Sequence, residues 1–301
     1  MRALRIATRS SPLSLAQTEE VASLLRRFAD VELVVVRSRG DVDLRTPLYE
    51  MREKGVFERE VDAAVLEGRA DLAVHSAKDV PTEIPPGLVV AAIPPRRSPF
   101  DALVSRSGLG LADLPRGSRV GTSSLRRIGM LRRARPDLEV VPLRGNVDTR
   151  LRRLGEDLDA VVLAEAGLER LGFAGRWERL PLDQFVPAAG QGALMVTARE
   201  DDREVLELLS YVDDPASRAE VMAEKEFVAA IGAGCRAPVG VLARASGNEL
   251  EMVAAVVPPD GSRIIYARSR GPPGDAVRRL VEEFRRSGGL DAMGAWRESR
   301  A

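Results

Sequence analysis

The sequence predicts an α/β protein: two lobes built on mainly parallel sheets, then a small α+β domain with a three-stranded antiparallel sheet and helices. Three observations predict it. Segments rich in β-branched residues alternate with helical periodicity through residues 3–75, which is the pattern of β-α-β units. The alternation restarts near Asp101 and continues to residue 171. From residue 237 onward it stops, and three strand-like runs precede a single helix.

Residues 3–8 and 31–37 read as strands, and Leu13, Val21, Leu24, Leu25 and Phe28 fall at helical spacing between them. Such a connection makes the two strands parallel. Residues 40–55, with Gly40, Pro47 and Gly55, read as a mobile loop, followed by a helix at 56–67 and a strand at 70–75. Pro81, Pro85, Pro86 and Gly87 make 81–87 irregular. In the second block a strand ends at Gly121, Thr122-Ser123-Ser124 offers capping hydroxyls for a helix to Ala134, and strand 139–143, helix 146–155, strand 159–163 and helix 165–171 follow. Pro187-Ala188-Ala189-Gly190-Gln191-Gly192 reads as a linker turn, after which strand 193–198 returns to the first block. Helices at 201–212 and 216–231 lead to strands at 237–244, 249–257 and 263–269 and a helix at 275–287. The expected domains are 1–95 with 193–212, then 98–188, then 215–301. Two α/β lobes place a ligand in the cleft between them.

Composition narrows the function. The chain has 301 residues, 45 basic against 45 acidic, with one histidine and one cysteine. An internal disulfide is excluded, and a structural zinc site, which needs about four Cys/His ligands, has too few donors. Zero net charge and 4% aromatic residues do not suit a nucleic-acid binder. No segment reaches the roughly 20 apolar residues of a membrane span. Met1 to Ala7 runs into a strand-like segment without the apolar core of a signal peptide, so the expected location is cytoplasmic. The only lysines are Lys54, Lys78 and Lys225. Genomic bias accounts for the excess of arginine but not for where lysine is kept.

Four motifs carry candidate chemistry. Ala7-Thr8-Arg9-Ser10-Ser11-Pro12-Leu13 puts hydroxyls and a guanidinium where a strand gives way to a helix, either an anion site or an ordinary N-cap. His75-Ser76-Ala77-Lys78-Asp79-Val80-Pro81 follows a strand at the end where parallel sheets carry their sites. A surface salt bridge is its plain reading, and a hydrogen-bonded structural role is the plain reading of His75. Gly121-Thr122-Ser123-Ser124-Leu125-Arg126-Arg127 and Leu143-Arg144-Gly145-Asn146-Val147-Asp148-Thr149-Arg150 are two anion-site candidates on successive strand-to-helix turns, with solvated helix arginines as the alternative. Walker A and G-x-G-x-x-G loops are absent from the sequence. Gly232-Ala233-Gly234-Cys235-Arg236 sets the lone thiol in a glycine-rich turn beside a cation, where a thiolate is favoured. A buried apolar role is the alternative.

In order and in wording, these motifs resemble the porphobilinogen deaminase family over essentially the whole chain. The resemblance implies three domains, the first two similar to type II periplasmic binding proteins. It implies a dipyrromethane cofactor held by a thioether to Cys235, and a transferase of tetrapyrrole, porphyrin and heme biosynthesis. Four porphobilinogens are added stepwise with loss of ammonia, and water releases hydroxymethylbilane. Asp79 matches the catalytic aspartate. Lys78, Ser76, Arg126, Arg127, Thr122, Ser123, Ser124, Arg144, Gly145 and Gln191 match cofactor-binding positions. Arg9, Ser11, Arg150, Arg170 and Phe57 match substrate-binding positions, and no metal is implied. The loop 40–57, with Lys54 and Phe57, is expected to act as a lid. The resemblance also implies a monomer with neither nucleic acid nor membrane as partner. Two residues depart from the pattern: Ala233 stands where a second glycine is common, and Asp148 puts an acid inside an anion-binding turn. The alternative reading is a non-catalytic anion sensor of the periplasmic-binding type.

Overall fold

A computed structural model describes residues 3–36, 59–233 and 237–298. Contacts divide the chain into two units, Met1–Arg97 with Gly192–Arg218, and Ser98–Gln191 with Ala219–Ala301. The first unit opens with β1 (Leu4–Arg9), α1 (Pro12–Leu25), β2 (Val31–Val36), α2 (Arg59–Leu66), β3 (Leu72–Ser76) and β4 (Leu88–Ala92). The second contributes β5 (Asp101–Ser105), β6 (Arg119–Gly121), α3 (Leu125–Ala134), β7 (Glu139–Val141), α4 (Val147–Arg152), β8 (Ala160–Ala164), α5 (Glu165–Arg170) and β9 (Glu178–Arg179). The chain returns to the first unit for β10 (Leu194–Arg199) and α6 (Arg203–Ser210). Helix α7 (Pro215–Ala230) then leads to β11 (Val239–Ser246), β12 (Glu249–Val256), β13 (Ile265–Gly271), α8 (Pro273–Arg286) and α9 (Gly289–Glu298).

The first sheet has the order β2-β1-β3-β10-β4 and the second β7-β6-β8-β5-β9. In the first, β1 is parallel to β2 and β3, while β10 is antiparallel to β3 and β4. In the second, β6 is parallel to β7 and β8, while β5 is antiparallel to β8 and β9. Four strands of each sheet therefore share a direction and one opposes them. The two orders match position by position, as expected for two lobes of the type II periplasmic-binding kind. The reversed strand is β10 in one lobe and β5 in the other, each the first strand after the chain crosses between units.

Sequence periodicity missed β4, β5 and β9 and gave no sign of the reversed strands. Strand direction is set by the connection, not by the side-chain pattern. At two residues, β9 is too short to show a period, and α9 was hidden behind Gly288-Gly289, which reads as a stop.

Both faces of the first sheet are covered. Ile6, Val21, Leu25, Leu72 and Leu209 fill one side, and Ala7, Val61, Val65 and Ala73 the other. In the C-terminal domain, α7 and α8 cover one face of β11-β12-β13, with Phe227 and Phe284 edge to face at 5.4 Å. Within the second unit this domain packs on the neighbouring lobe: Ala255 and Val257 share an apolar cluster with Val120, Met130 and Leu131. The approach is close enough to require glycine. A Cβ on Gly240 would lie 2.2 Å from the Val186 carbonyl oxygen, and one on Gly129 would lie 2.6 Å from that of Pro258.

Overpacking of this kind costs about 1–3 kcal/mol. Gly240→Ala is expected to lower the urea midpoint accordingly, and a midpoint equal to that of the parent protein would show that the Val186 backbone yields freely.

Candidate active site

In the first unit, β1 and β3 run side by side with Ala7 opposite Ala73, so both end on the same edge of the sheet. Arg9, half-buried, closes β1. Ser11 caps α1: its Oγ accepts from the Ser14 amide at 3.2 Å, and its hydroxyl donates to Ser14 Oγ at 2.8 Å. At the end of β3 the Asp79 amide donates to the Ser76 carbonyl at 3.0 Å, folding Ser76-Ala77-Lys78-Asp79 into a turn. Ser76 and Lys78 are half-buried and Asp79 is exposed. The Asp79 carboxylate makes no hydrogen bond or ion pair with the described residues.

His75 anchors the turn from beneath. Its Nε2 lies 2.9 Å from Asp62 Oδ1 and 3.2 Å from Thr197 Oγ1, and the Thr197 hydroxyl donates to the same Asp62 oxygen at 3.0 Å. All three residues are buried, and no serine joins them among the described residues. The arrangement is a closed structural group, not a hydrolytic triad.

In the second unit, Gly121 of β6 faces Val141 of β7 and Val161 of β8, so three turns emerge along one edge. The Ser123 hydroxyl donates to the Leu143 carbonyl at 2.8 Å and accepts from the Leu143 amide at 2.9 Å, stitching two of these turns together. Thr122 Oγ1 accepts from the Ser124 amide at 3.2 Å, and Ser124 caps α3. These hydroxyls shape the edge before they can meet any ligand. Gly145 has φ +98°, and a Cβ there would lie 2.8 Å from Thr149 Cγ2, so this turn needs glycine. Arg150 Nε donates to the Gly145 carbonyl at 2.7 Å. Arg170 is half-buried in the last turn of α5. Asp148 pairs along its own helix with Arg152 at 3.7 Å, which disposes of an acid in an anion-binding turn. Arg144 is different: its Nη1 is buried with no hydrogen-bond partner among the described residues.

Beneath these turns sits a group the sequence did not reveal. Asp101, the first residue of β5, is 0% exposed. It accepts from Arg126 Nη1 at 2.5 Å, Arg127 Nε at 2.9 Å and Gln191 Nε2 at 3.0 Å. Arg126 also donates to the Val186 carbonyl, Arg127 to the Val162 carbonyl, and Gln191 to the Pro99 carbonyl. Burial pushes the Asp101 carboxyl up, but the charges of Arg126 and Arg127, with the hydrogen bonds from Arg126 and Gln191, more than reverse this and hold it far below the usual carboxylate range. Arg126, Arg127 and Gln191, read from sequence as ligand-facing, are thus buried and bound to protein groups. The signal was present but weak: an acidic residue opening the apolar run Asp101-Ala102-Leu103-Val104, in a chain with adjacent arginines.

Cys235, with Gly234 and Arg236, lies outside the described residues, as do Lys54, Phe57 and the rest of loop 40–57. The segment before the thiol is described. Gly232, at φ +62°, ends α7 in a Schellman motif, its amide donating to Ala229 O and the Ala233 amide to Val228 O. Ala233 has no positive φ, so alanine is tolerated where a glycine was expected. On the same helix the fully buried Glu224 accepts from the Gly190 amide at 2.6 Å and the Ala243 amide at 2.9 Å.

Residues 4–207 match the family model described as porphobilinogen deaminase, dipyromethane cofactor binding domain, and residues 218–283 match the porphobilinogen deaminase C-terminal domain. The chain belongs to the porphobilinogen deaminase family. A probable porphobilinogen deaminase of Methanopyrus kandleri is 50% identical over 289 residues, covering 94% of this chain and 97% of that one. The porphobilinogen deaminase of Roseiflexus sp. strain RS-1 is 49% identical over 279 residues, covering 91% and 92%. That of Rubrobacter xylanophilus is 46% identical over 295 residues, covering 97% and 96%. The chain is therefore a transferase of porphyrin biosynthesis, a hydroxymethylbilane synthase with a dipyrromethane-binding domain, and not a non-catalytic anion sensor. Among the described residues no helix is long and apolar enough to cross a membrane.

The buried carboxylate makes a pH prediction. The Asp101 folded-state pKa is depressed, so its contribution to stability is complete above the unfolded carboxylate value of about 4 and is lost as pH falls toward the folded value. Asp101→Asn is expected to lose about 3–5 kcal/mol at pH 7 by stranding buried cations. Its urea midpoint should also fall less steeply than the parent's between pH 4 and pH 2.5. Parallel acid profiles would remove Asp101 as the responsible group.

Proposed function

We propose that the residues at the two strand edges divide the work of the reaction as follows. Arg144, Gly145 and the hydroxyl turn Thr122-Ser123-Ser124, with Ser76 and Lys78, hold the acetate and propionate groups of the dipyrromethane, and the buried Arg126, Arg127 and Gln191 serve that binding by fixing the turn from within. Arg9, Ser11, Arg150 and Arg170 receive those of incoming porphobilinogen. Arginine suits this task because its planar fork matches a carboxylate in two hydrogen bonds. Cys235 is the thioether anchor, and a thioether persists through many turnovers.

One observation supports the reading above the others. Arg144 Nη1 is a buried cationic donor with no hydrogen-bond acceptor among the described residues, and such a group is costly unless something negative meets it. A ligand rich in carboxylates fits this.

When bound, the dipyrromethane supplies a pyrrole with a nucleophilic free α carbon. Asp79 acts on the substrate. Loss of ammonia from porphobilinogen leaves a positive charge spread over its ring, and a carboxylate beside the ring nitrogen stabilises it. In its acid form the same group passes a proton to the departing amine, and the carboxylate so formed takes one back from the ring carbon after coupling. Its exposure, and the absence of a partner for its carboxylate among the described residues, leave Asp79 available for both tasks. Loop 40–57, with Phe57, keeps water from the reacting ring. The domains 1–95 with 193–212, 98–188 and 215–301 act together in a cytoplasmic monomer.

Asp79→Asn is expected to lower kcat by about 10²–10⁴-fold while the purified protein still carries the extra mass of two pyrrole units. Cys235→Ser should lack that mass altogether. Near-normal turnover in Asp79→Asn, or the adduct mass in Cys235→Ser, would overturn the assignments.

A further inference from the structure

We infer that Asp101 is a positioning residue for oligopyrrole binding, acting through Arg126 and Arg127. The inference rests on the proposed function and adds to it a residue that the ligand itself does not touch. Three observations carry it.

Because β5 is antiparallel to β8, its first residue, Asp101, stands opposite Ala164, the last residue of β8. The carboxylate therefore lies at the edge where the binding turns emerge, although it begins a strand and does not end one. It is also shared. Arg126 Nη1 and Nη2 reach Asp101 Oδ2 and Oδ1 at 2.5 and 3.2 Å, Arg127 Nε reaches Oδ1 at 2.9 Å, and Gln191 Nε2 reaches Oδ1 at 3.0 Å. Gln191 Oε1 in turn accepts from Arg127 Nη2 at 3.3 Å. Each guanidinium plane is further fixed by a main-chain carbonyl, Val186 for Arg126 and Val162 for Arg127.

The third observation is burial: the members of the cluster are all at most 5% exposed. A lone buried cation is unfavourable, whereas a paired and oriented one is a fixed electrostatic fixture. Both arginines belong to the first turn of α3, directly after the hydroxyl turn 122–124. Holding them fixes that turn with respect to β6 and β8, which sets where Ser124 and its neighbours present themselves. Asp101 thus orients the residues that receive the primer's carboxylates.

The test compares wild type, Asp101→Asn, Arg126→Met and the double variant. The readouts are melting temperature, the fraction of purified protein carrying the two-pyrrole mass, and KM and kcat for porphobilinogen. Folded Asp101→Asn is expected to carry less adduct and to show KM raised about 10-fold or more, as a misplaced binding group does. In the double variant, the effects of the two substitutions should fall short of their sum, because Asp101 acts through the arginine. A lower melting temperature with wild-type adduct fraction and KM would reduce Asp101 to a stabilising residue and overturn the inference. If Asp101→Asn does not fold, Gln191→Met decides. It keeps the side chain's shape but cuts one arm of the cluster, and raised KM supports the inference while unchanged KM overturns it. Absence of the adduct from wild type would instead sink the proposed function, a separate outcome.

Discussion

The buried carboxylate of Asp101, gripped by two guanidinium groups, ties together the edge of the second unit from which its turns emerge. A sheet edge that must hold several carboxylates needs several cations, and cations crowded together repel. Placing one carboxylate beneath two of them relieves part of that repulsion and fixes both planar groups. Burial raises the stakes of every partner in the cluster, because an unpaired member in a low-dielectric interior is expensive. The same logic runs through the first unit at lower charge, where His75, Asp62 and Thr197 satisfy one another under the turn that presents Asp79.

The sheet topology makes these supports possible. Parallel strands deliver turns and helix starts to one edge, which brings hydroxyls and arginines there but no strand-opening residue. The single reversed strand of each lobe supplies what the parallel set lacks. In the second unit β5 brings Asp101 to the edge by its first residue. In the first, β10 places Thr197 opposite Ala73, where it shares Asp62 with His75. The strands that the chain uses to cross between units are thus also the strands that underpin the two sets of turns.

Much of this was legible in the sequence. The β-α-β alternation, the capping roles of Ser11 and Ser124, and the antiparallel C-terminal sheet all follow from local chemistry that the fold does not override. The reversed strands were not legible, since a strand pattern carries no arrow. Asp101 was hidden for a related reason. Its partners lie 25, 26 and 90 residues away, and no local rule links them. Arg126 and Arg127 looked like solvent-facing grips because a sequence shows charge but not burial. Asp148 shows the converse: an acid looks out of place in a turn expected to bind anions, yet it pairs with Arg152, while Arg144 Nη1 has no hydrogen-bond partner among the described residues.

The proposed division of work sets guanidinium groups at these strand ends against the ligand's carboxylates and Asp79 against its ring nitrogens. A crystal structure of the protein purified with its adduct tests this most directly. A ligand carboxylate oxygen is expected at hydrogen-bond distance from Arg144 Nη1, and a pyrrole nitrogen at hydrogen-bond distance from an Asp79 carboxylate oxygen. An adduct lying elsewhere, with Arg144 turned to a protein acceptor and Asp79 facing solvent, would contradict it.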